Sequence, residues 1–244
     1  MRLVWADECS GKAGAPPDAE LWVWRPVDAW HPPDELQTYT DDAANAHYDG
    51  RGHLVITARK GPGPRRYTSA RLSAHLSNRP GLFLYGCFQA RIRVPTGFGI
   101  WPAFWLLGRD DLFGWPLCGE IDVMEAPSSA TTVNQVHQGT HSPSAYDGGS
   151  VAVGIPPALA EWGRGFHTFA ADWGPGQIRF LIDERMTGVV TRDDVELHGG
   201  TWVFDERPQA PVINVAVGGW AGPPDGSWAE QSMVVDWVRV YEST

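Results

Sequence analysis

The chain has 244 residues, with 19 Lys and Arg against 29 Asp and Glu, a formal net charge of −10. Polyanionic partners such as nucleic acid and anionic membrane surfaces are therefore disfavoured, and two long uncharged and largely apolar runs, 94–108 and 208–224, are broken by prolines that no spanning helix would carry. The 13 Trp, 28 Gly and 20 Pro favour many short strands and leave aromatic surface suited to the flat faces of sugar rings.

The opening residues, Met1-Arg2-Leu3-Val4-Trp5-Ala6-Asp7, hold no apolar stretch of signal-peptide length, so no leader is expected in this chain. Leu54–Ala58 reads as a buried strand. Phe88, Ala90, Ile92 and Val94 alternate with Gln89, Arg91 and Arg93, the period of a half-buried strand. Residues 134–150, polar and Gly-containing, read as loops around a strand. Pro156-Pro157-Ala158-Leu159-Ala160-Glu161-Trp162, stopped by Gly163 and Gly165, is the one helical candidate. Gln177–Asp183 forms a strand behind the Trp173-Gly174-Pro175-Gly176 turn. Val234, Asp236, Val238 and Val240 alternate with Val235, Trp237, Arg239 and Tyr241 to close the chain. Cys9, Cys87 and Cys118 cannot all pair, and their surroundings suit reduced, buried thiols. The pattern predicts one all-β sandwich over residues 1–244 with Greek-key wiring.

The informative segment is Gly119-Glu120-Ile121-Asp122-Val123-Met124-Glu125-Ala126. Glu120 and Asp122 share one face of a strand, while Ile121 and Val123 take the other. Glu125, at an odd offset, would fall on the apolar side, where a lone carboxylate costs several kcal/mol by order of magnitude. One extra residue, a bulge near Val123-Met124, returns it to the acidic face. Three carboxylates together admit three readings: a retaining glycosidase pair of nucleophile and acid/base about 5–5.5 Å apart, a solvated acidic face, or a divalent-metal site.

Glu-Ile-Asp-Val-Met-Glu resembles the signature of glycoside hydrolase family 16 in its bulged, laminarinase-like form. The resemblance extends along the chain. It takes in Leu3-Val4-Trp5-Ala6-Asp7-Glu8, Tyr67-Thr68-Ser69-Ala70-Arg71, Gly99-Ile100-Trp101-Pro102-Ala103-Phe104-Trp105, Asn214-Val215-Ala216-Val217-Gly218-Gly219 and Val235-Asp236-Trp237-Val238-Arg239-Val240-Tyr241. It implies a β-jelly-roll of two curved antiparallel sheets with a cleft on the concave face, and retaining endo-hydrolysis of a β-1,3-glucan without a cofactor for catalysis. Glu120 would be nucleophile, Asp122 the assisting carboxylate and Glu125 the acid/base. Ala126-Pro127-Ser128 replaces the aromatic or polar residue and Gly that often follow the final Glu, Cys9 replaces an aromatic, and Gly219 meets Trp220 directly. These departures bear on specificity rather than on the reaction. Another bulged-family hydrolase, a mixed-linkage glucanase or agarase, and a lectin-like glucan-binding module are the alternatives. A binding module has no need of both Glu120 and Glu125.

Trp101 and Trp105, four apart, share a strand face, and the resemblance places their rings against sugars on the nucleophile side of the cleft. Trp115 would wall the cleft or pack. Asn45 and Arg71 match positions that bind glucose hydroxyls, His137 matches a histidine on the leaving-group side, and Trp220 falls on the cleft rim or in packing. The resemblance further implies a structural Ca²⁺ held by the backbone carbonyls of Glu8 and Gly50 and the carboxylate of Asp236, hard oxygen donors of the kind that ion takes. A β-glucan is the expected partner, a monomer the expected state, and the substrate class implies an extracellular location.

Overall fold

The computed structural model describes residues 1–25, 34–61, 67–74 and 81–242. They form a jelly-roll of two stacked sheets. The first runs Ser150–Gly154, Gln135–Pro143, Glu120–Glu125, Ile100–Leu107, Ala210–Val217, Arg71–Ser73 and Val23–Trp24, with Ala158–Leu159 added to the Gln135–Pro143 strand. The second runs Arg185–Thr191, Gln177–Ile182, His167–Gly174, Gly86–Arg93, Glu230–Glu242, Leu54–Lys60, Tyr67–Ser69 and Gln37–Tyr39. Arg2–Asp7 joins it beside Glu230–Glu242, and Ala46–Tyr48 beside Leu54–Lys60. One pair departs from the antiparallel expectation: Gln37–Tyr39 runs parallel to Tyr67–Ser69.

The inner faces make the core. Phe88, Ala90 and Ile92 from one sheet and Phe104, Ile121 and Val215 from the other are fully buried, each large apolar side chain contributing about 1.5–3 kcal/mol by leaving water. The closing strand contains an irregularity between Val235 and Trp237. Both Val235 and Val238 can therefore face the core despite their odd offset, and the simple alternation read from the sequence changes phase there. Cys9, Cys87 and Cys118 are free and buried.

The expected helix over 156–162 does not form. Ala158–Leu159 pairs with Gln135 and Val136, and only Trp162–Arg164 makes a 3₁₀ turn. Pro156-Pro157 removes backbone donors from the first turn, and the open edge of the neighbouring strand supplies partners instead. Helical turns stand at Asp110–Phe113 and Arg192–Leu197. The second carries a reciprocal cap in which Thr191 accepts from Asp194 N and Asp194 accepts from Thr191 N, with Asp filling the place more often held by Glu or Gln.

Asp236 also has a partner the sequence did not suggest. Its carboxylate accepts from Arg91 Nη1, while the Glu8 carboxylate is held by Arg239 at 2.8 Å. The Arg91 guanidinium thus pairs with the carboxylate that a cation at Asp236 would use.

Candidate active site

The outer, concave face of the first sheet carries a cleft of ≈ 520 Å³. Its floor is the Glu120–Glu125 strand, between Ile100–Leu107 and Gln135–Pro143. Against Ile100–Leu107 the register runs Asp122↔Trp105 and then Met124↔Phe104, so Val123 is the extra residue of a bulge. Val123 and Met124 both enter the core, while Glu120, Asp122 and Glu125 all line the cleft. The bulge inferred from the stranded position of Glu125 is present at the expected residues.

The three carboxylates sit in different surroundings. Asp122 is 4 % exposed. Burial, then the charges of Glu125 and Glu120 and a hydrogen bond to Glu120, hold its pKa well above the usual carboxylate range. Glu125 is pushed up to about 8, chiefly by burial and then by the Glu120 charge, with a partly opposing hydrogen bond from Trp101. Trp101 Nε1 donates to Glu125 Oε1 at 3.0 Å, and Trp115 Nε1 donates to Glu120 Oε2 at 2.9 Å. His141 Nε2 stands 3.8 Å from Asp122 Oδ2. Near neutral pH these surroundings favour the protonated forms of Glu125 and Asp122. Environments that separate the protonation of paired acids assign one as acid and the other as nucleophile.

Glu120, Asp122 and His141 also offer ligand atoms within 4.8 Å of one another.

Trp101, Trp105, Trp115, His137, Trp220 and Arg71 all line the cleft. Trp101 stands beside Glu125, to which it donates its hydrogen bond. Trp105 Nε1 donates to Asn214 Oδ1 at 2.7 Å, and the Arg71 guanidinium lies 4.7 Å above the Trp105 ring. The His137 ring lies 4.5 Å from that of Trp220. Its pKa is lowered by burial, so it is neutral at pH 7, and its Nε2 has no hydrogen-bond partner among the described residues.

Asn45 is a correction. It is 2 % exposed and donates to Thr57 O at 2.8 Å and Thr68 Oγ1 at 3.2 Å, while accepting from Thr40 Oγ1 at 2.7 Å. These bonds join three segments of the fold and leave its amide no sugar to meet. The cleft is also lined by Glu35, Tyr39, His141 and Asn214, none of them singled out from sequence. Asn214 did carry a signal, as a polar residue in the otherwise apolar run 211–217. Its Nδ2 donates to Tyr39 OH at 3.0 Å.

Two glutamates on one bulged strand, Glu125 held protonated by its surroundings, in an open cleft walled by indoles, define a glycoside hydrolase. The chain belongs to the glycosyl hydrolases family 16, whose profile matches residues 34–239; enzymes of this family need no cofactor for catalysis. It is 36 % identical to a beta-glucanase of Rhodothermus marinus, over 98 % of this chain and 84 % of that one. A glucan endo-1,3-beta-glucosidase of Cryptopygus antarcticus is 34 % identical over 84 % of this chain and 80 % of its own. The laminarinase catalytic domain of Thermotoga maritima superposes with a TM-score of 0.81 at 33 % identity, covering 100 % of this chain and 98 % of its own.

Proposed function

We propose that the protein is a retaining endo-β-1,3-glucanase acting on laminarin-type polysaccharide, with Glu120 as nucleophile and Glu125 as acid/base. The observation that carries the reading is the bulge, which sets Glu125, protonated near neutral pH, on the same cleft floor as Glu120. In the first step Glu125 gives its proton to the glycosidic oxygen as the Glu120 carboxylate attacks the anomeric carbon. The C–O bond to the leaving glucan breaks and an ester to Glu120 forms. Glu125, now ionised, takes a proton from water, whose oxygen displaces Glu120 from the opposite face and restores the original anomer. Between turnovers Asp122 keeps its proton and donates a hydrogen bond to the Glu120 carboxylate, a bond that loosens as the ester forms, which makes it a partner in the charge changes of the nucleophile.

Trp101, Trp105, Trp115 and Trp220 supply faces for glucose rings, and Arg71, His137 and Asn214 meet hydroxyls. An open cleft crossing several strands suits internal cleavage of a chain. A single catalytic domain over 1–244, a monomeric state and an extracellular site of action accompany this reading, as the substrate is a polymer found outside cells. The structural Ca²⁺ is supported by the family resemblance only and is opposed by the Arg91–Asp236 pair. Reducing-end release and product sizes on laminarin, lichenan, agarose and carrageenan test the assignment. Laminarin is expected to be the best of the four, and faster cleavage of agarose or carrageenan would overturn it.

A further inference from the structure

The bulge has a specific neighbour. On its Gln135–Pro143 side the register passes from Asp122↔Gly139 to Glu125↔His137, so Val123 and Met124 together oppose the single residue Gln138. An extra residue sets its own backbone groups out of step with the ladder, and a buried carbonyl needs a donor from elsewhere. Gln138, 3 % exposed, supplies one: its Nε2 donates to Val123 O at 2.8 Å. Its Oε1 accepts from Thr187 Oγ1 at 2.6 Å. Thr187 lies on Arg185–Thr191 in the opposite sheet, and that hydrogen bond turns the amide so that the NH₂ faces Val123. The two layers are close here, since a Cβ on Gly188 would stand 2.7 Å from Ile155 Cγ2, and Ile155 is a wall of the cleft.

We propose that Gln138 is a positioning residue for the reaction, pinning the bulge through Val123 O so that Glu125 stays turned toward the cleft. The proposal rests on the acid/base role given to Glu125 above. If the bulge relaxes toward regular pairing, residues after Val123 change face and Glu125 moves toward the core side. Glu120 and Asp122 precede the extra residue and keep their ladder partners. Loss of Gln138 should therefore damage proton transfer to the leaving group more than nucleophilic attack.

The test compares Gln138→Leu with the wild type on laminarin and on an aryl β-oligoglucoside whose leaving group departs without acid help. On laminarin kcat/KM should fall at least tenfold, part of the roughly 10²–10⁴-fold that acid catalysis supplies, and on the aryl substrate by no more than about threefold. The basic limb of the laminarin pH profile should also move, because it reports Glu125. Equal losses on both substrates with an unmoved pH profile would overturn the proposal, as would a loss that only follows the unfolded fraction seen by circular dichroism. If Gln138→Leu does not fold, Thr187→Val, which leaves the amide in place but unanchored, should give the same selective loss; an unselective one overturns the proposal. Glu125→Ala separates the two layers of argument. Its failure to recover on the aryl substrate would sink the acid/base role itself, whereas its recovery alongside an unselective Gln138→Leu would sink only the role of Gln138.

Discussion

Replacing Trp101 by phenylalanine removes the indole N–H and trims the ring to a phenyl, and it should move the pH dependence of the enzyme upward. The indole Nε1 donates to Glu125 Oε1 at 3.0 Å and is the influence that opposes burial and the Glu120 charge in setting the acid near 8. A hydrogen bond to an ionised group is worth about 1.5–3 kcal/mol, and 1.36 kcal/mol corresponds to one pKa unit. Discounted for water entering an open cleft, the expected rise is about one pH unit. The direction follows from the chemistry. Glu125 must be protonated to act, so a higher pKa keeps it active to higher pH and carries the basic limb of kcat/KM upward by about that amount. The limb reports the coupled carboxylate cluster rather than one isolated group, but Trp101 touches only Glu125 within it. The assay is kcat/KM on laminarin from pH 4 to about 10, with circular dichroism to confirm folding across the range. A basic limb that stays fixed or moves down would refute the assignment of Glu125 as acid or the ranking of forces on it.

Trp105→Ala should weaken laminari-oligosaccharide binding by roughly 1–3 kcal/mol, as aromatic platforms do for flat ligands elsewhere, and titration calorimetry that finds unchanged binding with a large stability loss would return this residue to a packing role. With azide, Glu120→Ala should yield the α-glycosyl azide and Glu125→Ala the β-glycosyl azide, distinguishable by proton NMR; the opposite anomers would mean nucleophile and acid/base are exchanged. Glu125→Gln should raise the melting temperature at pH 7 relative to pH 4. An acid whose folded pKa lies above its unfolded value stabilises fully only below the unfolded value and loses that contribution as pH rises toward about 8; an unchanged difference between the two pH values counts against the raised pKa. Chelation with EDTA should leave the melting temperature in place because Arg91 holds Asp236, and a fall restored by Ca²⁺ would instead put an ion there.

What the sequence made legible was whatever depends on alternation. Phe88, Ala90 and Ile92 marked their strand because half-burial imposes period 2, and Glu125 exposed the bulge because a lone carboxylate does not belong in a core. Roles set by distant neighbours were hidden. Asn45 looked like a sugar ligand, but Thr40, Thr57 and Thr68 converge on it only after folding. The helix expected after Pro156 lost to an open strand edge, and helical turns stand instead at Asp110–Phe113 and at Arg192–Leu197, the latter on an Asp-containing cap. Gln138 was overlooked beside His137 because its partners, Val123 O and Thr187 Oγ1, reach it from two other strands only after folding. The parallel pairing of Gln37–Tyr39 with Tyr67–Ser69 likewise depends on chain routing, which local pattern does not encode.

The extra residue in the floor strand also separates two properties that usually move together. Omitting Met124 would leave Glu-Ile-Asp-Val-Glu, in which plain alternation sets all three carboxylates on one side with no irregularity. The chemistry can thus be presented by a five-residue run or by this six-residue one. What differs is the ribbon beneath it, because a surplus residue bends and overtwists its strand. The spacing of reactive groups and the curvature of the trough in which a polymer lies become independent variables, so substrate shape can be adjusted by insertion while the reacting side chains keep their places.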